Sequence, residues 1–495
     1  MDMLDVILPI MTFIAFSLLT IPVMKLTKKS TRKVIFTLTW FSFIFAFSSL
    51  SIARLAMKYY AQMGDHPIIN VTLSNGLNAI FSSAFTVDAI SVYMAIVFTV
   101  SSAIAIFYGA LFYVDRQVNL SERYYALMLL VTACVLGASL SGDFLTLFIF
   151  WEASAVGSAF LMIYERTPRA IHATLKYLIM IVIASAFIIY GLSIIYGLTG
   201  TLNFWAVKQA LTSLSDKHLL FLAFIFMSTG YAIESAIVPF HMWLPDAYTT
   251  APAPSSAFLS AIVDQGSYYI LLRILIYVLT PQKVLDWRPI LAVLSALTMI
   301  VGNLFALIEN NVKRLISYVC IADVGYNLVA ITSVTSLGVI GNLYFFFVGG
   351  LTTALAFIVV GILNSAGFKT IDDMSGIGRR MPFTSLTFLV GALSFSGSPP
   401  FAGFFAKYMV FTAVIEAGLS WLAIIGVVTS VLQAAYFLRI INYMFAKRTD
   451  AGRVSEPKQL LILAFILVSA IIILGIYPEI IMALIEPVVW QIQAL

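Results

Sequence analysis

Charged residues are scarce in this sequence of 495 residues: Asp, Glu, Lys and Arg make up 10% of the chain, and 61% of it is hydrophobic. A soluble protein carries about 25% charged residues, because its whole surface faces water. The shortage therefore excludes a water-soluble globular protein, and it also excludes an intrinsically disordered one. We expect a protein that crosses a membrane many times.

Cysteine and histidine are also rare, with two cysteines and four histidines in the chain. Iron-sulfur clusters and structural zinc sites need about four such ligands. The sequence also lacks a phosphate-binding glycine loop and a nucleophile beside a base. We expect no cofactor, no metal and no catalysis within this chain, and we assign any redox chemistry to partner subunits.

The apolar residues form long runs, and a run of about 20 residues crosses the hydrocarbon core as a helix. These runs predict an all-α polytopic membrane protein with about 14 transmembrane helices. The expected spans are 6–24, 34–57, 86–113, 123–141, 143–164, 175–198, 218–239, 253–279, 287–308, 314–335, 339–363, 384–416, 419–446 and 458–485.

The basic residues predict the orientation, because Lys and Arg collect on the cytoplasmic side. With both termini outside the cell membrane, 20 of the 28 Lys and Arg residues fall in inward segments and six in outward ones. This split favours an even number of helices. The placement of the basic residues relative to the membrane accounts for the net charge of +5. We therefore expect a lipid bilayer as a partner, and no nucleic acid.

Helices 7 and 12 contain prolines at matching places, in the segments 238–247 and 396–403. Proline removes a backbone donor, so both helices should be broken. From Pro239 to Pro399 is 160 residues, close to the 164 between the starts of helices 4 and 9. We expect two five-helix repeats, over 123–285 and 286–450, between an N-terminal part, 1–122, and a C-terminal helix, 451–495. Because each repeat has an odd number of helices, the second repeat enters the membrane from the opposite face and is inverted relative to the first. Paired broken helices in inverted repeats indicate an ion route.

Five ionisable side chains are expected at membrane depth, where a charge costs at least about 2.5 kcal/mol. They are Glu152, Glu234, Asp264, Asp323 and Lys407. Four buried carboxyls and one ammonium cannot all stay ionised without cations. We therefore expect that carboxyls are protonated, that one pairs with Lys407, or that a metal cation is bound. The alternative for each residue is a hydrogen bond between helices. His241, at the first break, could line a polar cavity.

Several motifs resemble one family. They are 150–152 (FWE), 238–247 (VPFHMWLPDA), 312–318 (VKRLISY) and 397–404 (GSPPFAGF) through Lys407. The combination is similar to the antiporter-like subunits of respiratory complex I, Mrp sodium/proton antiporters, and membrane-bound hydrogenase and sulfane sulfur reductase complexes. Members have fourteen helices and two inverted repeats with broken helices. The resemblance implies other antiporter-like and small membrane subunits as partners, with a peripheral redox module that carries iron-sulfur clusters.

In that family a glutamate of helix 5 and a lysine or glutamate of helix 12 end a path of titratable residues. Glu152 and Lys407 match these two ends. The family's lysines of helices 7 and 8 fall on Glu234 and Gln265, its His/Lys pair of helix 11 falls on Gly349 and Thr353, and its helix-10 residue is Asp323. Glutamine, glycine and threonine do not change charge near neutral pH.

Three functions follow from these features. The first is an antiporter-like membrane subunit of a modular respiratory or hydrogenase-like complex, with altered or lost ion conduction. The second is an active carboxylate-based proton or sodium channel subunit. The third is a purely structural subunit of the membrane arm.

Overall fold

The computed structural model describes residues 2–27, 33–62, 68–71, 85–115, 122–214, 217–280, 285–446 and 452–494. This part of the chain is almost entirely α-helical, apart from an antiparallel pair of short strands, β1 (Ile69–Val71) and β2 (Phe85–Val87). It contains eleven helices long and apolar enough to cross a membrane, and two shorter apolar ones. The predicted all-α polytopic membrane fold is confirmed. Fourteen spans stay a prediction.

The helices fall into groups along the chain. The N-terminal ones are α1 (Met3–Thr27), α2 (Lys33–Gln62) and α3 (Ala89–Asp115). The next are α4 (Glu122–Ser139), α5 (Phe144–Met162), α6 (Pro168–Thr199), α7 (Phe204–Thr212), α8 (His218–Glu234), α9 (Leu244–Thr250), α10 (Ala253–Phe258) and α11 (Asp264–Leu272). The last are α12 (Arg288–Ile308), α13 (Val312–Ser333), α14 (Ser336–Ser365), α15 (Ile377–Arg380), α16 (Pro382–Phe395), α17 (Ala402–Glu416), α18 (Ser420–Ala446), α19 (Lys458–Ile476) and α20 (Glu479–Ala494).

Local chemistry explains where several helices begin and end. The Asp143 carboxylate accepts a hydrogen bond from the backbone of Thr146 at 2.7 Å and so caps α5. Pro168 opens α6, seven residues before the predicted start, since proline is favoured in the first turn. The predicted C-terminal span over 458–485 is wrong as a single helix. Pro478, which has no backbone N–H, separates α19 from α20.

Burial separates the central helices from the peripheral ones. Helices α13, α14 and the continuous helix over 253–278, in which π-helical turns follow α10 and α11, are buried along nearly their whole length. Helices α6, α18 and α19 instead expose large apolar side chains along one face, for example Ile179, Val431 and Ile462. Such faces suit lipid or another apolar partner. Asp264 and Asp323 thus lie on the central helices.

Both predicted breaks are present, and their backbones match. Ala236 and Gly397 adopt positive φ angles of 51° and 71°. Four backbone hydrogen bonds recur at a constant offset of 161 residues, for example Ile237 N to Ala232 O at 2.9 Å and Ser398 N to Leu393 O at 3.0 Å. Each break also contains a cis peptide bond before a proline.

Side chains satisfy backbone groups that the first break removes from the helix. The Val238 N–H donates to the Thr298 hydroxyl at 3.2 Å, and the Trp243 indole N–H donates to the carbonyl of Ile233 at 2.9 Å. Backbone of this kind is tolerated at membrane depth only where protein or water satisfies it.

A second pair of loops also matches. Phe204 N donates to Gly142 O at 3.2 Å, and Ile371 N donates to Asn310 O at 2.9 Å. Each of these bonds ties the loop after the first helix of a predicted repeat to the loop after its third helix. The two predicted repeats therefore share loop contacts as well as breaks.

A buried ion pair joins the N-terminal end of α3 to the continuous helix over 253–278. Arg273 Nη2 lies 3.1 Å from Asp88 Oδ2, and both side chains are almost completely buried. Asp88 also accepts a hydrogen bond from the backbone of Ser91 at 2.9 Å, and Arg273 donates to the Tyr269 hydroxyl at 2.8 Å. Loss of either partner leaves an uncompensated charge in the protein interior.

We expect Asp88→Asn to lower the free energy of unfolding by about 3 to 5 kcal/mol, because Arg273 would then be buried without its counter-charge. Unfolding of the purified protein in mixed micelles, followed by circular dichroism, measures the change. The control is Asp286→Asn, which breaks an exposed pair with Arg288 and should cost less than about 1 kcal/mol. Equal losses in the two variants would contradict this role of Asp88.

Candidate ion path

Two carboxyl groups lie where α5, α6 and α8 meet. Glu152, on α5, is partly buried and accepts a hydrogen bond from the Ser185 hydroxyl of α6 at 2.6 Å. Glu234, the last residue of α8, is buried, and its Oε2 accepts from the Trp151 indole N–H at 2.6 Å. Glu234 Oε1 has no hydrogen-bond partner among the described residues. Each carboxyl is thus oriented by a neutral donor from a neighbouring helix.

Glycines allow α6 and α8 to approach closely at this site. A Cβ atom at Gly230 would lie 2.7 Å from the Ala184 carbonyl oxygen, and one at Gly191 would lie 3.0 Å from the Ala223 carbonyl oxygen. Small residues let helix backbones pack tightly inside membranes. The close packing brings Ser185, next to Ala184, toward the end of α8.

A cavity connects Glu234 to the centre of the molecule. It encloses about 320 Å³, and both Glu234 and Asp264 line it, together with Ser158 and Tyr177. Asp264 begins α11 and accepts a hydrogen bond from the Tyr248 hydroxyl at 2.6 Å. The space open to the centre of a water molecule inside it is about 10 Å³, which is no more than the room that a single ordered water needs.

A second cavity connects Asp323 to Lys407. It encloses about 250 Å³ between α13, α14, α16 and α17, and both side chains line it. The Lys407 ammonium donates to Gln433 Oε1 at 2.5 Å and to the Ser430 hydroxyl at 3.1 Å. It also lies 4.1 Å from the centre of the Tyr326 ring, a cation–π contact.

The centre of the route contains uncharged side chains. Gln265 follows Asp264 on α11, and its amide nitrogen lies 3.7 Å from where a Cβ atom at Gly349 would be. The Thr353 hydroxyl donates to the Gly349 carbonyl at 2.9 Å. All three residues are buried. These are the positions at which the resemblance predicts titratable groups. They lie close together here, and their side chains are uncharged.

His241 lies apart from both cavities. It is buried in the 3₁₀ turn of the first break, where its ring centroid is 6.1 Å from that of Phe305. Trp243, two residues later, does line the cavity of Glu234 and Asp264. His241 lines neither cavity, so the structure does not bring it together with the other candidate residues.

Asp246, after the first break, belongs to an ionic network near the surface. It lies 2.8 Å from Lys176 of α6 and 3.1 Å from Arg314 of α13. Arg314 also lies 3.4 Å from Glu309. These charges hold α9 between the two predicted repeats, and they lie outside the two cavities.

Sequence reasoning missed a polar group around Lys407. The Tyr436 hydroxyl donates to Asn303 Oδ1 at 3.2 Å, and Asn303 Nδ2 donates to the Tyr326 hydroxyl at 3.5 Å. Gln433 contacts Lys407 directly. The available signal was the presence of single amides, Asn303 and Gln433, inside otherwise apolar runs.

Comparison with known proteins agrees with this architecture. Residues 141–433 match the family described as "NADH:quinone oxidoreductase/Mrp antiporter, TM". NADH-quinone oxidoreductase subunit N of Desulforamulus reducens is 31% identical, over 91% of this chain and 95% of that protein. The F(420)H(2) dehydrogenase subunit N of Methanosarcina mazei is 29% identical, over 81% and 83%.

Solved structures show the same fold. A chain of the membrane-bound sulfane sulfur reductase, an archaeal respiratory membrane complex, has a TM-score of 0.84 and 25% identity, over 98% of this chain and 97% of that one. A chain of the Mrp complex from Dietzia sp. DQ12-45-1b has a TM-score of 0.81 at 21% identity, over 99% and 98%. The chain therefore belongs to the NADH:quinone oxidoreductase/Mrp antiporter family and is an antiporter-like membrane subunit.

Proposed function

We propose that this chain is a membrane-arm subunit of a respiratory redox complex, with the role that subunit N has in the relatives that share about 30% of its sequence. It lies in the cell membrane with both termini outside, beside other antiporter-like and small membrane subunits. A peripheral module with iron-sulfur clusters carries out the electron transfer. This chain couples that transfer to the movement of protons or Na⁺.

The ion path of this subunit runs over carboxyl groups, from Glu152 and Glu234 through Asp264 and Asp323 to Lys407. One observation carries this proposal: the two cavities each join two of these residues, Glu234 with Asp264 and Asp323 with Lys407. The carboxyls take the part that lysines take in the family's path. In this proposal the subunit still conducts ions, and carboxyl groups replace the lysines of the family's path.

The inverted repeats remain part of this proposal. The recurring hydrogen bonds in the two breaks, and the matching bonds between loops, support two related units over 123–285 and 286–450. In this arrangement Glu234 ends the first half of helix 7, and Lys407 follows the break in helix 12. Both groups then lie near the middle of the membrane.

A purely structural subunit is the second candidate. Gln265, Gly349 and Thr353 favour it, because these central residues cannot take up or release a proton near neutral pH. Such a subunit would support assembly and leave ion movement to a neighbouring antiporter-like subunit. Measurements of transport distinguish the two candidates.

We expect Glu234→Gln and Asp323→Asn each to reduce ion movement at least tenfold, because each removes a group that changes charge. The assembled complex in proteoliposomes, with a pH-sensitive dye and a Na⁺ indicator, measures the rate. The amides have nearly the same size as the carboxyls, so assembly should persist, and native gels check it.

The matched control for these variants is Asp373→Asn, which removes an exposed carboxyl in the loop before α15. It should leave the rate unchanged within a factor of about two. Wild-type rates in both cavity variants, with assembly intact, would favour the structural candidate.

Trp151→Phe should reduce the rate several-fold, because Glu234 loses its indole donor while the aromatic packing remains. Removing the donor of a buried acceptor costs about 1 to 3 kcal/mol, so the free energy of unfolding should also fall by roughly this amount. The same transport assay and the micelle unfolding measurement test both effects. Trp205→Phe, at a half-exposed position on α7, is the control and should change neither.

A further inference from the structure

A cavity that we name the Lys208 cavity lies where the strands β1 and β2 and the helix α7 meet the last turns of the continuous helix over 253–278. Its polar lining residues are Asn70, Thr86, Asp88, Lys208, Arg273 and Tyr277, and the proposed path residues are not among them. The space open to the centre of a water molecule inside it is about 40 Å³. A single ordered water needs about 10 to 15 Å³, so the cavity has room for a group of several heavy atoms.

Two buried donors in the Lys208 cavity lack acceptors. The terminal nitrogens of Arg273 bond to Asp88 and to the Tyr269 hydroxyl, but its Nε–H has no hydrogen-bond partner among the described residues. The buried Tyr277 hydroxyl has no partner in the same part of the chain. A buried donor that stays unpaired is costly. These two groups therefore indicate a ligand that offers oxygen acceptors.

The charges around the cavity favour an anion. Of the described residues that line it, Arg273 and Lys208 are basic and Asp88 is acidic. Both oxygens of Asp88 accept hydrogen bonds from Arg273, at 3.2 and 3.1 Å, so its charge is compensated. Lys208 is only 8% exposed, and its ammonium lies 5.7 Å from the centre of the Trp205 ring. Because buried charges are normally paired, a negatively charged ligand would balance the positive charge that remains.

Helix α7 indicates where this site lies relative to the membrane. The helix follows the end of α6 and precedes the start of α8, so it lies at one surface of the membrane domain. Its Phe204 ring contacts the Arg273 guanidinium, with 5.6 Å between the ring centroid and Cζ, and Trp205 is 43% exposed. Exposed tryptophans are enriched at the membrane–water interface, at the level of the lipid head groups. The Lys208 cavity therefore lies at the depth of phospholipid phosphates.

We propose that the Lys208 cavity binds a phosphate group. The phosphate oxygens accept hydrogen bonds from Arg273 Nε–H, the Tyr277 hydroxyl and the Lys208 ammonium, which are donors that phosphate binds strongly. The bound group ties α7 to the continuous helix over 253–278. An anionic phospholipid and inorganic phosphate offer the same chemistry, and the position of α7 favours the lipid.

Hydrogen–deuterium exchange of the peptide that contains α7 tests this site. The assembled complex is purified in neutral detergent, depleted of lipid and placed in phosphate-free buffer. The probes are dihexanoylphosphatidylglycerol and inorganic phosphate, and dihexanoylglycerol is the matched lipid without a phosphate. At a probe concentration ten times its Kd, exchange that requires release of the probe should slow about tenfold. Dihexanoylglycerol should leave the exchange rate unchanged.

The two phosphate probes distinguish the sources of the ligand. Slowing by phosphatidylglycerol at concentrations where inorganic phosphate has no effect identifies a lipid head group. Slowing by inorganic phosphate at equal or lower concentrations identifies a free anion. Either result supports a phosphate site in the Lys208 cavity.

Substitutions in the cavity should weaken the response to the probes. Lys208→Met keeps the length of the side chain and removes the charge, and it should raise the half-effective probe concentration at least tenfold. Tyr277→Phe, which removes only a hydroxyl, should raise it about threefold. The matched controls are Lys217→Met, at an exposed lysine before α8, and Tyr60→Phe, at an exposed tyrosine of α2. Both controls should respond as the wild type does, and exchange without a probe checks that α7 is folded in every variant.

Unchanged exchange with both phosphate probes would overturn the proposal. Equal responses of the wild type and the Lys208→Met and Tyr277→Phe variants would also overturn it, as would equal slowing by dihexanoylglycerol. The measurement involves no ion movement, so its result is independent of the function proposed above.

Discussion

The fold depends on the absence of water in the hydrocarbon core, where every backbone polar group must find its partner inside the protein. Both broken helices show how this is met. At the first break, Thr298 and Trp243 satisfy backbone groups that the helix no longer holds. Hydrogen bonds between helices also hold the carboxyls, since Glu152 and Glu234 each accept one from a neighbouring helix. The breaks and the site are thus two results of one constraint.

Much of the fold could be predicted because single residues have strong local effects. Prolines at 239 and 399 located the two breaks to within a few residues, and Pro478 explains why the last apolar run forms two helices. That last break was missed because the run stays apolar on both sides of the proline, so hydropathy alone reads it as continuous. The early start of α6 was missed for the opposite reason: Arg169 interrupts the apolar pattern in its first turn, although it lies on the helix.

The candidate site was predictable in its charged members and not in its neutral ones. A carboxyl or ammonium in an apolar run is costly enough to signal a role, which is why Asp323 and Lys407 could be named from the sequence. A serine, asparagine or tyrosine there carries no such signal, because it can bond to its own helix backbone. Only the packing of α12, α13 and α18 shows that Tyr326 faces Lys407 and that Asn303 bonds to Tyr326. His241, whose position next to the break suggested a polar cavity, lines neither of the two cavities described above.

The charge balance of the proposed path determines how it can operate. An ion pair inside a membrane protein holds both charges in place, and moving an ion past it requires the pair to separate. Here Glu152, Glu234 and Asp264 are held by Ser185, Trp151 and Tyr248, which are neutral donors. Such donors can bond to a carboxylate and can also bond to the carbonyl oxygen of a protonated carboxyl, so the site keeps its geometry when its charge changes. A path built on these groups can therefore change its protonation state without rearranging helices. Lys407 is the one ammonium group among the proposed path residues, so it is the only one of them that is positively charged when protonated.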